Sequence, residues 1–195
     1  MPTIDIDFEW GVGREYQLVD DQTVIRQTSR HYDWRRPLHT FSALYLKFFE
    51  LDGSPGACLE FARSFGLLRQ PAKLGASEPL SDWKREIKQM RGLFNRTQIV
   101  RTGGIRARMT KIDVDLVSLG PDINSPTILR FRPPTLFDAM VVQLAQSQAS
   151  GASLASCTQC GHWFEVGGSG KRSVSKFCSD GCRNRFHYEQ RTKTA

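Results

Sequence analysis

The apolar residues near the start of the chain recur at every second position. Residues 3–10 place isoleucine and phenylalanine between acidic side chains, which is the alternation of a half-buried strand. Residues 16–19 and 23–27 have strand character and are separated by turn residues 20–22, so they predict a hairpin beside the first strand. The acidic positions are the solvent-facing half of this alternation, which argues against a pair of catalytic carboxylates.

From residue 37 onward the apolar period lengthens to three and four residues, as in helices. A first helix is predicted up to Gly53. A second begins at the cap Ser54 and ends at Gly66, and a third begins at Ser81. The apolar face of the third helix comprises Trp83, Ile87, Met90 and Phe94.

Two strands and a further helix complete the predicted N-terminal domain. Residues 112–116 and 127–131 have strand character, and Thr135 begins a helix with a capping-box variant. We therefore predict an α+β domain over residues 1–150, mostly helical with short antiparallel strands. A small separate unit follows over residues 151–195.

Four of the five cysteines lie in this C-terminal unit, in two close pairs. Cys157 and Cys160 form a C-x2-C pair, and Cys178 and Cys182 follow after an insert of seventeen residues. Two such pairs can converge on one tetrahedral zinc ion, and four protein ligands make such a site closed and structural. The fifth cysteine, Cys58, lies on the apolar face of the second predicted helix, where we expect a buried core thiol.

A disulfide framework is the alternative use of paired cysteines. Residues 1–30 lack the charged start, apolar stretch and cleavage site of a secretory signal, so we expect reduced thiols and a cytoplasmic location. No run of the sequence approaches the apolar length of a membrane span. His162 and His187 stay open as substitutes for one cysteine ligand, although four thiolates require neither.

The residues around the cysteines predict a treble-clef arrangement, in which a zinc knuckle, a hairpin and a ligand-bearing helix share one metal ion. Residues 162–166 and 172–177 predict the two strands of the hairpin. Residues 183–191 predict the helix, with Ser179 or Asp180 as its cap. The aromatic residues expected in the small core are Trp163, Phe177 and Phe186.

These motifs resemble a known family. The elements that carry the likeness are the C-x2-C pair, the aromatic pair Trp163-Phe164, a basic hairpin containing serine, Phe177-Cys178-Ser179 and Cys182-Arg183-Asn184-Arg185. Together, over about 35 residues, they resemble the C-terminal zinc finger of the CGNR family of bacterial transcription regulators. The resemblance implies an ABATE-type domain before the finger, which senses a signal or dimerises, and DNA binding by the finger. Arg183 stands where the family motif has glycine.

The net charge of +7 is unevenly distributed. Residues 151–195 carry +4, from seven basic and three acidic side chains, which falls to +2 when four thiolates bind one Zn²⁺. Residues 84–111 carry +8, so this basic segment is the stronger attractor for phosphate. Its basic residues are Lys84, Arg85, Lys88, Arg91, Arg96, Arg101, Arg106, Arg108 and Lys111.

Basic and amide side chains of the finger are candidate nucleic-acid contacts, because Arg and Asn bind base edges and Arg and Lys bind phosphates. They are Lys171, Arg172 and Lys176 on the hairpin and Arg183, Asn184, Arg185, Arg191 and Lys193 on the helix. We expect DNA as the partner. The alternative is a non-enzymatic adaptor whose structural finger binds a protein or RNA. A homodimer stays open because many DNA-binding proteins occupy two half-sites.

The sequence does not predict an enzyme. His31 and His39 are isolated, and no G-x-S-x-G elbow occurs. His162 with His187 is the nearest approach to a treble-clef nuclease, but this pair lacks the acidic or polar metal partners that such catalysis needs.

Overall fold

The computed structural model describes residues 4–41, 43–99, 113–118, 127–167 and 172–193. The chain divides into two compact units, Met1–Leu144 (unit 1) and Ala145–Ala195 (unit 2). Six helices and ten short strands lie within the described residues, which confirms the α+β class.

The strands are β1 (Ile4–Ile6), β2 (Trp10–Gly13), β3 (Tyr16–Val19), β4 (Val24–Gln27), β5 (Tyr32–Arg35), β6 (Ser77–Pro79), β7 (Asp113–Ser118), β8 (Thr127–Arg132), β9 (Ser153–Ser156) and β10 (Trp163–Val166). The helices are α1 (Pro37–Thr40), α2 (Leu44–Phe49), α3 (Pro55–Phe65), α4 (Leu80–Ile99), α5 (Leu136–Ala149) and α6 (Asp180–Lys193). Across these ranges no helix combines the length and the apolar character that crossing a bilayer requires.

One sheet of unit 1 has the strand order β1–β8–β7. Strands β7 and β8 confirm the two predicted strands and pair antiparallel. Strand β1 pairs with β8 in parallel, with Ile4 opposite Leu129 and Ile6 opposite Phe131. The expectation that β1 lies beside the following hairpin is therefore wrong, because the hairpin belongs to another sheet. The predicted first strand also breaks after Ile6 and resumes in a different sheet as β2 from Trp10.

The predicted hairpin is confirmed as β3 and β4, which pair antiparallel from Tyr16 opposite Gln27 to Val19 opposite Val24. The turn residues Asp20, Asp21 and Gln22 have φ of 51°, 54° and 64°. Three consecutive left-handed residues without glycine are costly, so the antiparallel pairing on both sides must hold this turn. Strand β6 pairs with the other edge of β4 and completes a three-stranded sheet.

The core of unit 1 is rich in aromatic side chains. Phe48 of α2 is fully buried, and its ring centroid lies 5.3 Å from that of Phe61 in α3 and 6.3 Å from that of Trp83 in α4. The ring centroid of Phe137 in α5 lies 6.0 Å from that of Phe48. The tilted and edge-to-face contacts let large rings fill the space between helices and add stabilisation beyond the buried area.

The first predicted helix is in fact two short helices, α1 and α2. Phe41 ends α1 in an extended conformation, and the helix restarts at Leu44. Gln143 holds this break, because its Oε1 accepts the Tyr45 N–H at 3.3 Å and its Nε2 donates to the Phe41 carbonyl at 2.8 Å. The amide comes from a distant part of the chain, so the local apolar period gives no sign of the interruption.

Helices α3 and α5 begin after their predicted caps, whereas α4 begins at Leu80, one residue before the predicted start at Ser81. The Ser54 hydroxyl accepts an N–H from the first turn of α3 at 3.3 Å. The Thr135 hydroxyl accepts the N–H of Asp138 at 3.0 Å and donates to its carboxylate at 2.6 Å at the start of α5. Cys58 is fully buried, and burial raises its pKa to about 11, which confirms a core thiol.

Strand β5 was not predicted, although Tyr32-Asp33-Trp34-Arg35 alternates aromatic and charged side chains as a strand does. It pairs antiparallel with β2, and none of its four residues is buried. Position 11 of β2 requires glycine, because the backbone of Ala72 passes close to it. A Cβ at Gly11 would lie 3.0 Å from the Ala72 nitrogen. The Ala72 N–H donates to the Gly11 carbonyl at 3.0 Å, on the edge of β2 away from β5.

Glu78 of β6 is a buried carboxylate that holds the segment after α3. Its two oxygens accept the N–H groups of Leu68 at 2.9 Å and Arg69 at 2.7 Å. Burial raises the pKa of Glu78, although these amide bonds oppose the change. The guanidinium of Arg69 also pairs with buried Glu86 of α4, so two carboxylates converge on this segment.

The Glu78→Gln variant tests the pH dependence of stability that the raised pKa of Glu78 causes. A carboxyl whose pKa is raised by folding contributes stability at acid pH that is lost as pH rises from its ordinary pKa of 4.5 through its raised value. The glutamine does not titrate. We therefore expect the unfolding free energy of the wild type to fall relative to Glu78→Gln as pH rises from 4 to 7, measured by urea unfolding. Glu60→Gln on the exposed face of α3 is the control, and a difference that stays constant with pH would contradict the assignment.

Candidate metal centre

Cys157 and Cys160 lie in the connection between β9 and β10, which pair antiparallel. The Gly161 N–H donates to the Cys157 carbonyl at 2.8 Å, and Gly161 has φ of 75°. Glycine adopts this left-handed conformation without a steric cost, so it closes the turn that places both thiols on one side. The Cys157 N–H donates to the His162 carbonyl at 2.9 Å and fixes the other end of the knuckle.

Cys178 and Cys182 lie at the start of α6. Ser179 is the N-cap, because its hydroxyl accepts the Cys182 N–H at 3.1 Å and its carbonyl accepts the Arg183 N–H at 3.1 Å. Side chains in a first turn lean toward the helix N-terminus. The Cys182 thiol accordingly approaches Cys178, with 3.5 Å between the two sulfurs.

The four Sγ atoms all lie within 4.8 Å of one another. The Cys178 sulfur is 3.6 Å from that of Cys160, close to the separation of about 3.8 Å expected for thiolates on a tetrahedral zinc ion. All four are free thiols and form no disulfide. Cys157, Cys160, Cys178 and Cys182 can therefore coordinate one zinc ion. Of the described His, Asp and Glu side chains, none joins this cluster.

Backbone contacts tie the knuckle to the segment that precedes α6. Thr158 donates its N–H at 3.0 Å and its hydroxyl at 3.1 Å to the carbonyl of Lys176. The Cys178 N–H points at the Cys157 sulfur at 3.4 Å, a contact that stabilises a thiolate. Thr158 was not predicted to have this role, because nothing in a C-x2-C motif distinguishes its hydroxyl from that of a surface threonine.

The pKa values of Cys157 and Cys178 are shifted in opposite directions. Burial acts to raise the pKa of Cys157, but the N–H groups of Cys178, Cys160 and Gln159 outweigh it and lower the pKa to about 6. Burial and the neighbouring thiols raise the pKa of Cys178 to about 12. Thiolates this close repel one another, so a divalent cation at the centre is what makes four of them compatible.

Unit 2 has a very small apolar core beside the thiols. Its buried members are Cys157, Phe164 and Val166. Phe177 packs against this cluster, and its ring centroid lies 5.3 Å from that of Phe186. The prediction that Trp163 belongs to the core is wrong, because it is 37% exposed. Alternation along β10 turns Trp163 outward and its neighbour Phe164 inward.

The predicted returning strand over residues 172–177 is also wrong. The described part of this segment contains a turn, in which the Ser175 N–H donates to the Arg172 carbonyl at 2.9 Å. The partner of β10 is instead β9, which precedes the first cysteine. The serine and alanine of β9 have weak strand propensity, so its pairing was not visible in the sequence.

The candidate nucleic-acid residues lie before and along α6. Those that are described and exposed are Arg172, Lys176, Arg183, Asn184, Arg185 and Arg191. Lys171 and the side chain of Lys193 lie outside the described residues. An open cavity of about 320 Å³ at the start of α6 is lined by Arg172, Lys176 and Arg183, together with Asp180, whose carboxylate lies 3.4 Å from Arg183.

Successive residues of α6 turn by about 100° around its axis. Cys182 and Phe186 face the thiols and the small core, so Asn184, Tyr188 and Arg191 share the opposite face. Tyr188 is 70% exposed.

Arg183 and Arg185 are about 200° apart around α6, one on each flank. Neither arginine therefore shares the outer face of α6 with Asn184, Tyr188 and Arg191.

The basic segment 84–111 is described only in part. Arg85 pairs with Asp82 at 2.7 Å. Arg91 donates to the carbonyl of Phe49, the last residue of α2, at 3.2 Å and to that of Leu51 at 2.5 Å. These two cations therefore have intramolecular roles. Lys84 and Lys88 are exposed, whereas the side chain of Arg96 and residues 101–111 lie outside the described part of the chain.

No family model matches this chain, and no curated protein or solved structure matches it significantly. The resemblance to the CGNR finger therefore rests on the motif residues of unit 2.

The zinc site is tested by replacing one ligand. We expect one zinc per purified wild-type chain and a loss of at least tenfold in zinc affinity for Cys182→Ser, because a serine hydroxyl does not ionise as a thiol does. Metal content by mass spectrometry and competition with a chromogenic chelator measure both quantities. Cys58→Ala, which removes the core thiol, is the matched control and should retain one zinc. Full zinc occupancy in Cys182→Ser would contradict the assignment.

Proposed function

We propose that this chain is a DNA-binding transcription regulator in which zinc is structural and α6 contacts DNA. The observation that carries the proposal is the outer face of α6, which turns Asn184, Tyr188 and Arg191 away from the thiols. Asparagine and arginine are the side chains that bind adenine and guanine edges in the major groove. The resemblance of the cysteine motifs to the CGNR finger supports the same function.

The cavity at the start of α6 supplies the phosphate contacts in this proposal. Arg172, Lys176 and Arg183 line it from two sides, and cations grouped in this way fix the register of a protein on the DNA backbone. Asp180 pairs with Arg183 and holds that guanidinium beside the cavity.

The charge of unit 2 limits how much of the affinity it supplies. Its net charge is only +2 with a four-thiolate zinc centre, so the finger alone makes few phosphate contacts. We assign the rest to the basic segment 84–111. Since Arg85 and Arg91 have intramolecular roles, the contribution of this segment falls to Lys84, Lys88 and the basic residues that follow.

A non-enzymatic adaptor is the second candidate. It is favoured by the low net charge of the metallated finger and by two exposed side chains, Val174 at 80% and Tyr188 at 70%, which suit a protein partner. Neither function requires catalysis. Four cysteine ligands fill the coordination sphere of zinc and leave no position for a reacting water.

Salt dependence and two matched variants separate these functions. On its preferred DNA, selected from random fragments, the zinc-loaded chain should lose affinity steeply with salt. Asn184→Ala should cost about 1–3 kcal/mol on the preferred sequence and little on unrelated DNA. Lys176→Ala should weaken binding to all sequences alike and reduce the salt slope by about one. Fluorescence anisotropy over a salt series measures these effects.

Arg63→Ala, on the exposed face of α3, removes one charge from unit 1 and serves as the control. If the zinc-loaded wild type binds no DNA at moderate salt, the regulator proposal fails and the adaptor becomes the working model. If DNA binds but Asn184→Ala keeps full sequence preference, the outer face of α6 is not the reading surface.

A further inference from the structure

Strand β5 presents two large aromatic side chains to solvent at the edge of a sheet. Tyr32 is 44% and Trp34 is 59% exposed, and their rings meet edge to face with centroids 6.1 Å apart. Within the described residues β5 pairs only with β2, so its other edge has no partner strand. Unpaired edges with apolar side chains are the places where sheets recruit a further strand.

The hydrogen bonds of β2 determine which groups of β5 face that edge. The Gly11 carbonyl accepts from the Ala72 N–H, and the Gly13 N–H donates to the Tyr16 hydroxyl at 2.7 Å. The backbone N–H and C=O groups of both glycines therefore point away from β5. Trp34 lies opposite Gly11 and Tyr32 lies opposite Gly13. In an antiparallel ladder the bonding direction alternates with each residue pair. The N–H and C=O groups of Tyr32 and Trp34 therefore point to the open edge.

The side chains between these aromatic residues carry opposite charges. Asp33 and Arg35 lie on the other face of β5 and pair with each other at 3.6 Å, and Arg14 lies 3.7 Å from Asp33. A second β5 strand can pair antiparallel only in registers that place residues with outward-pointing backbone N–H and C=O groups opposite each other. Centring the two-fold axis on Asp33 would place two aspartates opposite each other, which is unfavourable.

Centring the axis on Trp34 gives a complementary register. Trp34 would then bond to Trp34 of the second copy, and Asp33 of each copy would lie opposite Arg35 of the other. These charged pairs would be of the non-hydrogen-bonded kind, in which side chains are closest. The same register places Tyr32 opposite Arg36, whose guanidinium stays paired with Glu9 at 2.7 Å.

From this geometry we infer that β5 is a self-association edge: two copies of this chain pair through β5, antiparallel about Trp34, into a continuous four-stranded sheet. The occupant is a second copy because the Asp33 and Arg35 charges complement each other under a two-fold axis. The overlap is short, so the dimer is weak and forms only at elevated chain concentration.

A charge exchange tests the register directly. Asp33→Arg places two arginines on each strand, and Arg35→Asp places two aspartates on each strand. Each variant alone should dimerise at least roughly tenfold more weakly than the wild type, because like charges then face each other in both pairs. An equimolar mixture of the two should form heterodimers with an affinity close to that of the wild type. Sedimentation velocity of the zinc-loaded full chain, from micromolar to near-millimolar concentration, measures all four samples.

A second pair of variants controls for net charge. Glu60→Arg and Arg63→Glu exchange an exposed ion pair on α3 with the same changes of charge. Each should dimerise as the wild type does, and mixing them should add nothing. Circular dichroism of every variant establishes that a monomer is folded.

Three results would overturn the inference. The first is a wild type that stays monomeric over the whole range. The second is a dimer that survives in both β5 variants, which would place the interface elsewhere. The third is a mixture of folded variants that remains monomeric. If the wild type is monomeric but the β5 variants bind DNA less well than the α3 pair does, the edge contacts nucleic acid and not a second copy.

Discussion

Unit 2 depends on the compatibility of four sulfur atoms at its centre. Among its described residues only Cys157, Phe164 and Val166 form a buried cluster, and so few buried side chains cannot offset the entropy of ordering two strands and a helix. Thiolates this close repel one another, and burial and the neighbouring thiols raise the pKa of Cys178. A cation that removes this repulsion and crosslinks both pairs therefore supplies most of the stability of unit 2. In unit 1 the corresponding role belongs to the aromatic core around Phe48.

The interactions that were predictable from sequence are local ones. The Ser54 and Thr135 caps act on N–H groups three residues away, and the spacing within each cysteine pair sets which thiols can meet. The hairpin of β3 and β4 has its turn residues between the two strands. In each case the residues that determine the structure are close together in the sequence, so the sequence alone predicts the element.

The features that were missed depend on partners far along the chain. Strand β1 finds a parallel neighbour in β8, and Gln143 of α5 interrupts the helix that the apolar period predicts near Phe41. Strand β9 has no apolar pattern and forms because β10 is beside it, while β5 exposes its aromatic residues against the usual rule. At the zinc centre all four ligands were identified, but the pairing of β10 and the position of Trp163 were not. Tertiary contacts decide such elements, and no local period contains them.

The two halves of the metal centre are each built by their own nearest residues. Gly161 closes the turn around the first pair through a bond to Cys157, and Ser179 orders the second pair by capping α6. The insert between the pairs also contributes, because Phe164 and Val166 pack beside the thiols and the Lys176 carbonyl accepts two hydrogen bonds from Thr158. Because closure entropy rises by only about 0.6 kcal/mol for each doubling of loop length, the number of residues between the two pairs constrains the metal centre less than the turn at Gly161 and the cap at Ser179 do.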